Sequence, residues 1–384
     1  MKLAFITNLV NHHQIPLADE FYRLLGSDYK YISTEPVPDW LIKGGYDPNI
    51  DRQYIIRAYD NNESLNIAKD IANNADVVII GSASESYVEQ RIKDGKLTFR
   101  YTERWFKNRP WYLSGPRAWI NYYKNHIRHR KKPLFVLAAS AYTCRDVNDI
   151  GAYKNKVFKW GYFTRVDNFS LETSPKLDVS SVESTPQIMW CARFLHLKHP
   201  ELPILLAKRL KDKGIKFHLN MFGSGEIYEP IRQLASNLKV NDVVTFCGNY
   251  PNDEILRQMR IHEIFLFTSD RNEGWGAVLN EAMSNGCAVV TSNLIGATPF
   301  LVEDGVNGLI FKSENIDDLE RKVIYLLSNP DKRVEFARNA IFTMRNVWSP
   351  ANAATQFLQL VDSIKAKNPQ LMPKSGPCSL AERL

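Results

Sequence analysis

The feature that most constrains the fold of this chain is an alternation of short apolar runs with amphipathic segments of helical period. Apolar runs such as 2–7, 76–82 and 133–140 have the length and composition of buried parallel strands. Segments such as 16–26 and 201–214 carry apolar residues at helical spacing. Because strands alternate with helices, we predict an α/β fold in which helices cover both faces of parallel sheets.

This alternation stops once along the chain and then restarts. A polar stretch without periodicity, residues 167–186, is typical of a linker. The chain has 384 residues, which is longer than one compact core usually serves. We therefore predict an N-terminal domain at 1–166 and a C-terminal domain at 187–348, with ligands bound at the carboxyl ends of the strands.

Two glutamates in the stretch RNEGWGAVLNEAMSNGCAVV, residues 271–290, indicate a binding site. Glu273 lies in a predicted loop after a strand, and Glu281 lies in the predicted helix that follows. A helix that begins near Gly276 directs unpaired backbone N–H groups towards an anion such as a phosphate. Because carboxylates only accept hydrogen bonds, the two glutamates favour hydroxyl groups on either side of that anion.

The spacing of the glutamates also predicts the kind of ligand. If residues 273–281 were all helical, the two carboxylates would lie ~12 Å apart. That separation suits a nucleotide-sugar, with ribose at one glutamate, hexose at the other and diphosphate between them. Two cations that follow a predicted strand, Arg193 and Lys198, suit the diphosphate. Because a departing nucleoside diphosphate gains negative charge, these cations would stabilise the transition state and take the place of a divalent metal.

Five sequence motifs together resemble those of a known enzyme family. They are ARFLHLK at 192–198, MFGSGE at 221–226, VTFCGN at 244–249, NEGWGAVLNEAM at 272–283 and VEDGVNGLIF at 302–311. In this order and spacing they resemble the C-terminal domain of glycosyltransferase family 4, the group 1 retaining glycosyltransferases. The resemblance implies a GT-B fold, in which two Rossmann-like doubly wound domains face each other across a cleft. It implies that 1–166 binds the acceptor, that 187–348 binds the nucleotide-sugar, and that the helix in 349–384 returns to the first domain.

The resemblance also assigns roles to individual residues. Glu273 would bind hydroxyls of the transferred sugar, and Glu281 would bind the ribose. Arg193 and Lys198 would bind the diphosphate. Further donor-binding positions are Gly276, Ala277, Val278, Gly223, Gly248 and Asn249. The family's chemistry implies retention of the anomeric configuration, with no metal and no cofactor apart from the nucleotide-sugar donor.

The chain departs from the family pattern at several positions. Ala192 stands where a glycine usually precedes the arginine, and His199 stands where a glycine often follows the lysine. Phe300 stands where the family often has a glutamate, and the first loop, 8–16, lacks the usual pair of glycines. The missing glycine pair in the first loop affects how the N-terminal domain would contact donor and acceptor.

Four of the candidate residues have a second interpretation. Glu103 occupies roughly the position of a cleft histidine in the family, which makes it a catalytic candidate; an ion pair with a neighbouring arginine is the alternative. His12 and His13 precede the first predicted helix, and they would either contact acceptor or donor or belong to a plain polar loop. For Lys198, the alternative to diphosphate binding is an ordinary surface position.

One region, which we call the basic segment, concentrates the positive charge. Residues 91–132 carry thirteen Lys or Arg against two acids, although the net charge of the whole chain is only +7. Aromatic residues lie between these cations. This composition suits an anionic membrane surface, with Arg128, Arg130, Lys131 and Lys132 as the candidate docking cluster. A solvated helix face is an equal alternative, and binding of single-stranded nucleic acid is a weaker one.

These observations predict a cytoplasmic, peripherally membrane-associated retaining glycosyltransferase. It would move a hexose-type sugar from a UDP- or GDP-sugar to a glycan or lipid-linked glycan in the synthesis of capsule, O-antigen or exopolysaccharide. The five scattered cysteines do not indicate a disulfide framework or a zinc site, and no apolar run approaches the ~18 residues of a membrane span. The alternatives are a GT-B-fold nucleotide-sugar epimerase or hydrolase, and a basic nucleic-acid-binding protein on the same fold.

Overall fold

A computed structural model describes residues 1–42, 47–107, 112, 114–167 and 185–384 of the chain. The chain divides into two compact units. The first unit comprises Met1–Arg165 and Ser349–Leu384, and the second comprises Val166–Trp348. Most of the predicted linker, 167–186, lies outside the described residues.

The first unit contains a parallel sheet. Its strands are β1 (Leu3–Thr7), β2 (Tyr29–Ser33), β3 (Ile55–Arg57), β4 (Val77–Ile80), β5 (Thr98–Thr102), β6 (Leu134–Ala138) and β7 (Val157–Lys159). In the described residues these strands lie in the order β3-β2-β1-β4-β5-β6-β7. In register, Leu3 pairs with Tyr29 on one side and with Val77 on the other. Because the strand order reverses between β1 and β4, their carboxyl ends form the switch point at which such sheets bind ligands.

Helices cover both faces of this first sheet. The α-helices of the first unit are α1 (Ile15–Leu25), α2 (Asp39–Ile42), α3 (Asn62–Asn74), α4 (Glu89–Lys93), α5 (Pro116–Asn125), α6 (Thr143–Asp149) and, after the second unit, α14 (Pro350–Ala366). The start of α3 shows why such segments fold locally, because the side chain of Asn61 accepts a hydrogen bond from the backbone N–H of Ser64 at 2.8 Å.

One face of the first sheet packs against α3, α4 and α6. Side chains alternate along a strand, so Ala4 and Ile6 of β1 point to the same face. They share a buried core with Ala68 of α3, Ile92 of α4 and Val147 of α6. Burial of these apolar side chains holds the three helices on the sheet.

The opposite face packs against α1 and α14 through aromatic rings. The ring centroid of Phe357, on α14, lies 5.5 Å from that of Phe21, 5.0 Å from that of Phe99 and 5.8 Å from that of Trp160. All four side chains are fully buried. The helix that follows the second unit in sequence therefore packs within the first unit.

The last residues of the chain extend the first sheet. The backbone N–H of Lys159, in β7, donates to the carbonyl of Ser379 at 2.8 Å, and its carbonyl accepts from the N–H of Cys378 at 2.7 Å. Phe158 and Leu380 are antiparallel partners. This tail covers the edge of β7, which would otherwise present unpaired backbone groups.

The second unit contains another parallel sheet. Its strands are β8 (Gln187–Cys191), β9 (His218–Phe222), β10 (Val244–Gly248), β11 (Ile264–Phe267), β12 (Ala288–Ser292) and β13 (Leu309–Phe311). Its helices are α7 (Glu201–Asp212), α8 (Tyr228–Asn237), α9 (Asn252–Ile261), α10 (Val278–Ser284), α11 (Thr298–Leu301), α12 (Ile316–Ser328) and α13 (Pro330–Phe342).

The order of these strands locates a second switch point. Among the described residues the order is β10-β9-β8-β11-β12-β13. Trp190 of β8 and Leu266 of β11 share one buried core with Leu206 of α7 and Leu319 of α12. The order reverses between β8 and β11, so a ligand site is expected where the loops leave these two strands.

The α/β architecture that the alternation predicts is confirmed. The apolar runs at 2–7, 76–82 and 133–140 are β1, β4 and β6, each shorter by one to three residues than the run. The apolar pattern does not predict β5, because Arg100 interrupts its aromatic residues. That arginine is buried, as described below, so its charge misleads a prediction based on hydropathy.

The aromatic packing of α14 predicts a large effect of one substitution. Phe357→Ala removes a fully buried ring and should destabilise the first unit by about 3–5 kcal/mol. Phe342→Ala is the matched control, because Phe342 is 63% exposed, and it should change the free energy of unfolding by less than about 0.5 kcal/mol. Urea unfolding followed by tryptophan fluorescence measures both effects. Equal effects of the two substitutions would contradict the packing of α14.

Candidate functional site

Two glycines allow the loops after β8 and β9 to lie directly against each other. A Cβ atom at Gly223, whose φ is +123°, would lie 2.0 Å from the carbonyl oxygen of Ala192. A Cβ atom at Gly225 would lie 2.4 Å from the carbonyl oxygen of Phe194. The close approach lets the N–H of Phe194 donate to the carbonyl of Ser224 at 2.9 Å. The Gly-x-Gly pattern therefore fixes the turn that carries Arg193, whose side chain is exposed.

The loop after β10 joins the same edge of the second sheet. The N–H of Gly223 donates to the carbonyl of Gly248 at 2.8 Å. The side-chain amide of Asn249 donates to Ser224 Oγ at 2.7 Å. The predicted donor-binding residues Gly223, Gly248 and Asn249 thus lie together in one hydrogen-bonded set of loops.

The loop between β11 and α10 carries the first glutamate. The carbonyl of Asp270 accepts from the N–H of Glu273 at 3.2 Å, and its carboxylate accepts from the N–H of Asn272 at 2.7 Å. Gly276 has φ +91°, and a Cβ atom there would lie 2.5 Å from the ring of Phe267. A turn, rather than a helix, therefore precedes α10.

This geometry corrects one premise of the sequence analysis. The α-helix comprises Val278–Ser284, with Ala277 as its N-cap, so residues 273–276 are not helical. The separation of ~12 Å for an ideal helix therefore does not apply to the carboxylates of Glu273 and Glu281. The predicted start of the helix near Gly276 is confirmed.

Lys198 and Glu273 form an ion pair across the switch point. Lys198 Nζ donates to Glu273 Oε2, and Ser269 Oγ donates to the same oxygen at 3.0 Å. Each side chain of the ion pair is only 13% exposed. The ammonium also lies 5.8 Å from the ring centroid of Phe267. The interpretation of Lys198 as an ordinary surface lysine is therefore wrong.

The second glutamate is buried on α10. Glu281 is 8% exposed. Burial, followed by the charge of Glu281, raises the pKa of Cys191 to about 12. Cys191 is the last residue of β8, so the carboxylate of Glu281 lies within electrostatic reach of the strand end that leads to Arg193.

His199 connects the lysine turn to the glutamate loop. Its backbone is left-handed, with φ 48° and ψ 55°, which explains why glycine suits this position in the family pattern. The ring bonds Glu201 Oε1 through Nδ1 at 2.6 Å, and Nε2 lies 3.5 Å from Asp270 Oδ2. The hydrogen bond with Glu201 raises the pKa of His199, although burial lowers it. The negative charges of Glu201, Glu314 and Asp270 raise this pKa further. In the sequence, the only sign of this bridge is a histidine in place of glycine.

Aromatic side chains pack around Trp275, which lies in the loop between β11 and α10. Trp275 is buried, and its Nε1 donates to Asn280 Oδ1 at 2.8 Å. Its carbonyl accepts from the N–H of Ala297 at 3.1 Å. Phe300, which replaces the family's glutamate, stacks on Trp348 with centroids 5.9 Å apart. Phe300 therefore has a packing role in this chain.

Glu103, in the first unit, has different partners from those that the sequence suggests. Tyr162 Oη donates to Glu103 Oε1 at 3.1 Å, and Lys107 Nζ donates to Oε2 at 3.2 Å. The neighbouring Arg104 instead faces Asp146, at 4.0 Å. Among the described residues, the ion-pair partner of Glu103 is thus Lys107, four residues further on, rather than the neighbouring arginine of the alternative interpretation.

His12 and His13 lie in the loop before α1 with ring centroids 3.9 Å apart. Burial, followed by the charge of His12, lowers the pKa of His13 to about 3. Burial also lowers the pKa of His12. Near neutral pH both rings are uncharged, so they offer hydrogen bonds to a ligand and no positive charge.

Part of the basic segment is structural. Arg91 is fully buried and donates to the backbone carbonyls of Ala72, Ala75 and Leu97 and to Thr98 Oγ1. Arg100 is buried too, as is the side chain of Arg104. The count of thirteen cations therefore overstates the charged surface. Arg109, one of the thirteen, lies outside the described residues.

Most of the other described cations of the basic segment are exposed. The candidate docking residues are all exposed: Arg128, Arg130, Lys131 and Lys132. Three large apolar side chains of the same segment are exposed too, Tyr112 at 62%, Ile120 at 66% and Tyr123 at 61%. No residue of α5 is fully buried. We call these seven side chains the α5 surface.

Two features are absent from the described residues. None of their helices combines the length and apolar character that crossing a bilayer requires. Within the same ranges, no three His, Cys, Asp or Glu side chains are grouped so that they could hold a metal ion.

Comparisons with known proteins bear on the second unit. Residues 177–342 match the sequence model of a family described as glycosyl transferases group 1. An uncharacterized glycosyltransferase of Methanocaldococcus jannaschii is 30% identical over 135 residues, which are 35% of this chain and 33% of that protein. The poly(glycerol-phosphate) alpha-glucosyltransferase of Bacillus subtilis is 32% identical over 135 residues, which are 35% of this chain and 19% of that protein. The chain thus spans about a third or less of the length of these relatives.

A comparison with solved structures concerns the fold of the whole chain. The structure of Anabaena HepE in complex with UDP has a TM-score of 0.69 at 14% identity, and the match covers 94% of this chain and 100% of that one. The same Anabaena protein has also been solved with UDP-glucose. The apo structure of the lipopolysaccharide outer core galactosyltransferase WaaB has a TM-score of 0.65 at 15% identity, and the match covers 96% of this chain and 100% of that one. The two parallel sheets with their helices and these structural neighbours identify the fold as that of GT-B glycosyltransferases.

The close contact at Gly276 predicts how the loop responds to a methyl group. Gly276→Ala and Gly305→Ala both place a side chain at positive φ, a strain of about 1–2 kcal/mol. Only Gly276→Ala adds a steric overlap with the ring of Phe267, because a Cβ atom at Gly305 would have no neighbouring atom within 4 Å. Thermal unfolding should therefore show a larger loss of stability for Gly276→Ala. Equal losses would contradict the described packing on Phe267.

The His199 bridge predicts a pH-dependent contribution to stability. Because the folded state raises the pKa of His199, the contribution is fully present below about pH 6.5 and is lost as the pH rises through the folded pKa. His199→Asn removes the charge but keeps a residue that tolerates left-handed backbone. Relative to the native protein, the variant should lose most stability near pH 5.5 and least near pH 9, as measured by thermal unfolding. A difference that is independent of pH would contradict the bridge.

Proposed function

We propose that this protein is a retaining glycosyltransferase that transfers a hexose-type sugar from a nucleotide-sugar to a glycan or lipid-linked glycan. The observation that carries the proposal is the grouping of four side chains around the switch point of the second sheet. Arg193 follows β8, Lys198 and Glu273 join the loops after β8 and β11, and Glu281 lies on α10. The family match over 177–342 includes all four residues.

The diphosphate of the donor is proposed to bind Arg193 and Lys198. The guanidinium of Arg193 is exposed, and the described residues supply no carboxylate that pairs with it. An ammonium has three N–H donors, and among the described residues Glu273 is the one hydrogen-bond acceptor for that of Lys198. Both cations can therefore donate to phosphate oxygens, Arg193 through two parallel hydrogen bonds.

The two glutamates are proposed to bind the hydroxyl groups at either end of the diphosphate. Glu281 lies within electrostatic reach of the end of β8 and would accept from the ribose. Glu273 is fixed by Lys198 and Ser269 and would accept from the transferred sugar. The likeness to a protein solved with UDP and with UDP-glucose supports a nucleotide-sugar as the donor.

The proposed chemistry follows from where charge develops. The bond between the anomeric carbon and the diphosphate oxygen breaks, and the diphosphate gains negative charge that Arg193 and Lys198 stabilise. The hydroxyl oxygen of the acceptor forms the new bond on the same face of the sugar ring, and its proton leaves with the diphosphate. Two fixed cations supply the positive charge, so we also propose that turnover does not require a divalent metal.

The acceptor is proposed to belong to surface polysaccharide synthesis. A putative colanic acid biosynthesis glycosyltransferase of Escherichia coli is 28% identical over 146 residues, which are 36% of this chain and 36% of that protein. For the α5 surface we propose an anionic membrane, because residues 112–132 carry both exposed cations and exposed large apolar side chains. Each cation near such a surface contributes about 1 kcal/mol, and aromatic side chains favour the interface.

The donor site predicts which variants lose nucleotide binding. Arg193→Ala and Glu281→Ala should each weaken binding of UDP or GDP by about tenfold or more, because each removes a hydrogen bond to or from a charged group. Arg338→Ala is the matched control, since Arg338 is an exposed arginine of the same unit. Titration calorimetry measures the affinities. Native-like affinity in both Arg193→Ala and Glu281→Ala would overturn the assignment.

The α5 surface predicts binding to vesicles that depends on anionic lipid and falls as salt rises, because salt screens surface charges over about 10 Å at 0.1 M. Replacing Arg128, Arg130, Lys131 and Lys132 by glutamate should abolish co-sedimentation with anionic vesicles and leave nucleotide binding unchanged. Replacing the exposed cations Arg321, Lys332, Arg338 and Lys365 by glutamate is the control. Equal binding to neutral and anionic vesicles, or equal loss in both variants, would contradict a membrane role.

A further inference from the structure

Two cavities lie side by side at the carboxyl ends of strands in the first sheet. The first, of about 350 Å³, lies against the ends of β1 and β5 and includes Glu103 in its wall. The second, of about 380 Å³, lies against the ends of β4 and β5 and reaches α5. Ser82, Tyr101 and Thr102 line both cavities. The two cavities are therefore adjacent, and we call them together the groove.

The groove occupies the position where a sheet of this topology binds ligands. Its first cavity lies at the switch point between β1 and β4. Its second cavity lies one strand further along, towards α5. Ligand pockets typically measure about 300–1,000 Å³, so each cavity suits a small ring and the two together suit a chain of rings.

The second cavity combines aromatic faces with polar groups. The rings of Trp105 and Tyr122 are nearly parallel, at 3°, with centroids 6.0 Å apart. Trp105 Nε1 donates to Thr102 Oγ1 at 2.9 Å, which fixes the indole. Asn121 and Ser82 add an amide and a hydroxyl to the same wall. A sugar ring, with apolar C–H faces and hydroxyl edges, matches such a wall.

The charged side chains along the groove neutralise one another. Each cation in its wall lies beside a carboxylate: Arg100 with Glu85, Lys107 with Glu103 and Arg104 with Asp146. The Glu85–Arg100 pair is bidentate, and Arg100 also donates to the carbonyl of Asn125 at 3.0 Å. The other polar side chains include amides and hydroxyls, among them Asn8, Asn11, Gln14, Ser82, Thr102 and Asn121. The imidazole of His126 also lines the second cavity, and burial lowers its pKa to about 2, so it is uncharged near neutral pH.

The polar groups that line the groove favour neutral sugars over polyol phosphates as the acceptor. Amides and hydroxyls both donate and accept hydrogen bonds, as sugar hydroxyls do. A phosphodiester chain needs cations that are free to leave their partners, and leaving a carboxylate unpaired in a partly buried site is unfavourable. In the part of the groove that the structure describes, neutral sugars therefore match the lining better than polyol phosphates do.

We propose that the two cavities are consecutive subsites for a neutral oligosaccharide acceptor of at least two sugar residues. This inference rests on the proposed function and specifies the class of its acceptor. The terminal sugar binds near Glu103 in the first cavity, and the next sugar packs on Trp105 and Tyr122 in the second. The acceptor class differs from the poly(glycerol-phosphate) named for the Bacillus subtilis relative.

Binding without donor tests the proposal directly. We would titrate the protein with neutral disaccharides, with their component monosaccharides and with a glycerol-phosphate oligomer, using ligand-observed NMR. At least one disaccharide should bind tenfold or more tightly than its monosaccharides and than the glycerol-phosphate oligomer. Ser82→Phe, in the shared wall, should remove that tenfold gain. Ser86→Phe is the control, because Ser86 is exposed and lines neither cavity.

The outcomes separate this proposal from the proposed function. Equal affinity for monosaccharides and disaccharides, tighter binding of glycerol phosphate, or no effect of Ser82→Phe would overturn the two-subsite groove. Nucleotide titration of the same samples reports on the second unit. Nucleotide binding without disaccharide selectivity overturns the groove alone, whereas disaccharide selectivity without nucleotide binding supports the groove and contradicts the proposed transfer reaction. Unfolding transitions of both variants show whether they are folded.

Discussion

The ion pair between Lys198 and Glu273 is the interaction on which the candidate site depends. It joins the loops that follow β8 and β11, the two strands between which the order of the second sheet reverses. Both side chains are largely buried. The attraction between two buried charges compensates for the free-energy cost of removing them from water only when further hydrogen bonds support the pair. Ser269 donates to the same carboxylate, and His199 lies between Glu201 and Asp270 on the neighbouring turn. A cation and a carboxylate held at a switch point suit a ligand that carries both phosphate and hydroxyl groups.

The two units differ in whether the cations near their ligand-binding edges are paired with carboxylates. Around the second sheet, Arg193 is exposed and unpaired by the described carboxylates, so the site can receive an anion. Along the groove of the first sheet, each described cation lies beside a carboxylate, and the remaining polar groups are amides, hydroxyls and the imidazole of His126. An enzyme that moves a sugar from a nucleotide to a neutral glycan needs both kinds of site, one for the charged donor and one for the uncharged acceptor.

The sequence predicts secondary structure better than it predicts which side chains contact one another. Apolar periodicity locates β1, β4 and most helices, because a strand or helix in an α/β fold buries a continuous face. It does not locate β5, whose Arg100 is a buried, paired cation. Neither periodicity nor motif predicts that Lys198 and Glu273, 75 residues apart, form an ion pair, since that contact depends on strand order. Charge counting fails for the basic segment because burial of Arg91 cannot be seen in composition.

The most direct test of the account compares how Lys198 and Glu273 contribute to binding of nucleotide and of nucleotide-sugar. Titration calorimetry would use UDP with UDP-glucose, or GDP with GDP-mannose, whichever pair binds the native protein. If Lys198 binds the diphosphate and Glu273 binds the sugar, Lys198→Met weakens both ligands by the same factor. Glu273→Gln then weakens only the nucleotide-sugar and leaves the nucleotide affinity within about twofold, well under the tenfold that 1.4 kcal/mol represents. Equal weakening of both ligands by Glu273→Gln would contradict the assignment of the sugar to Glu273.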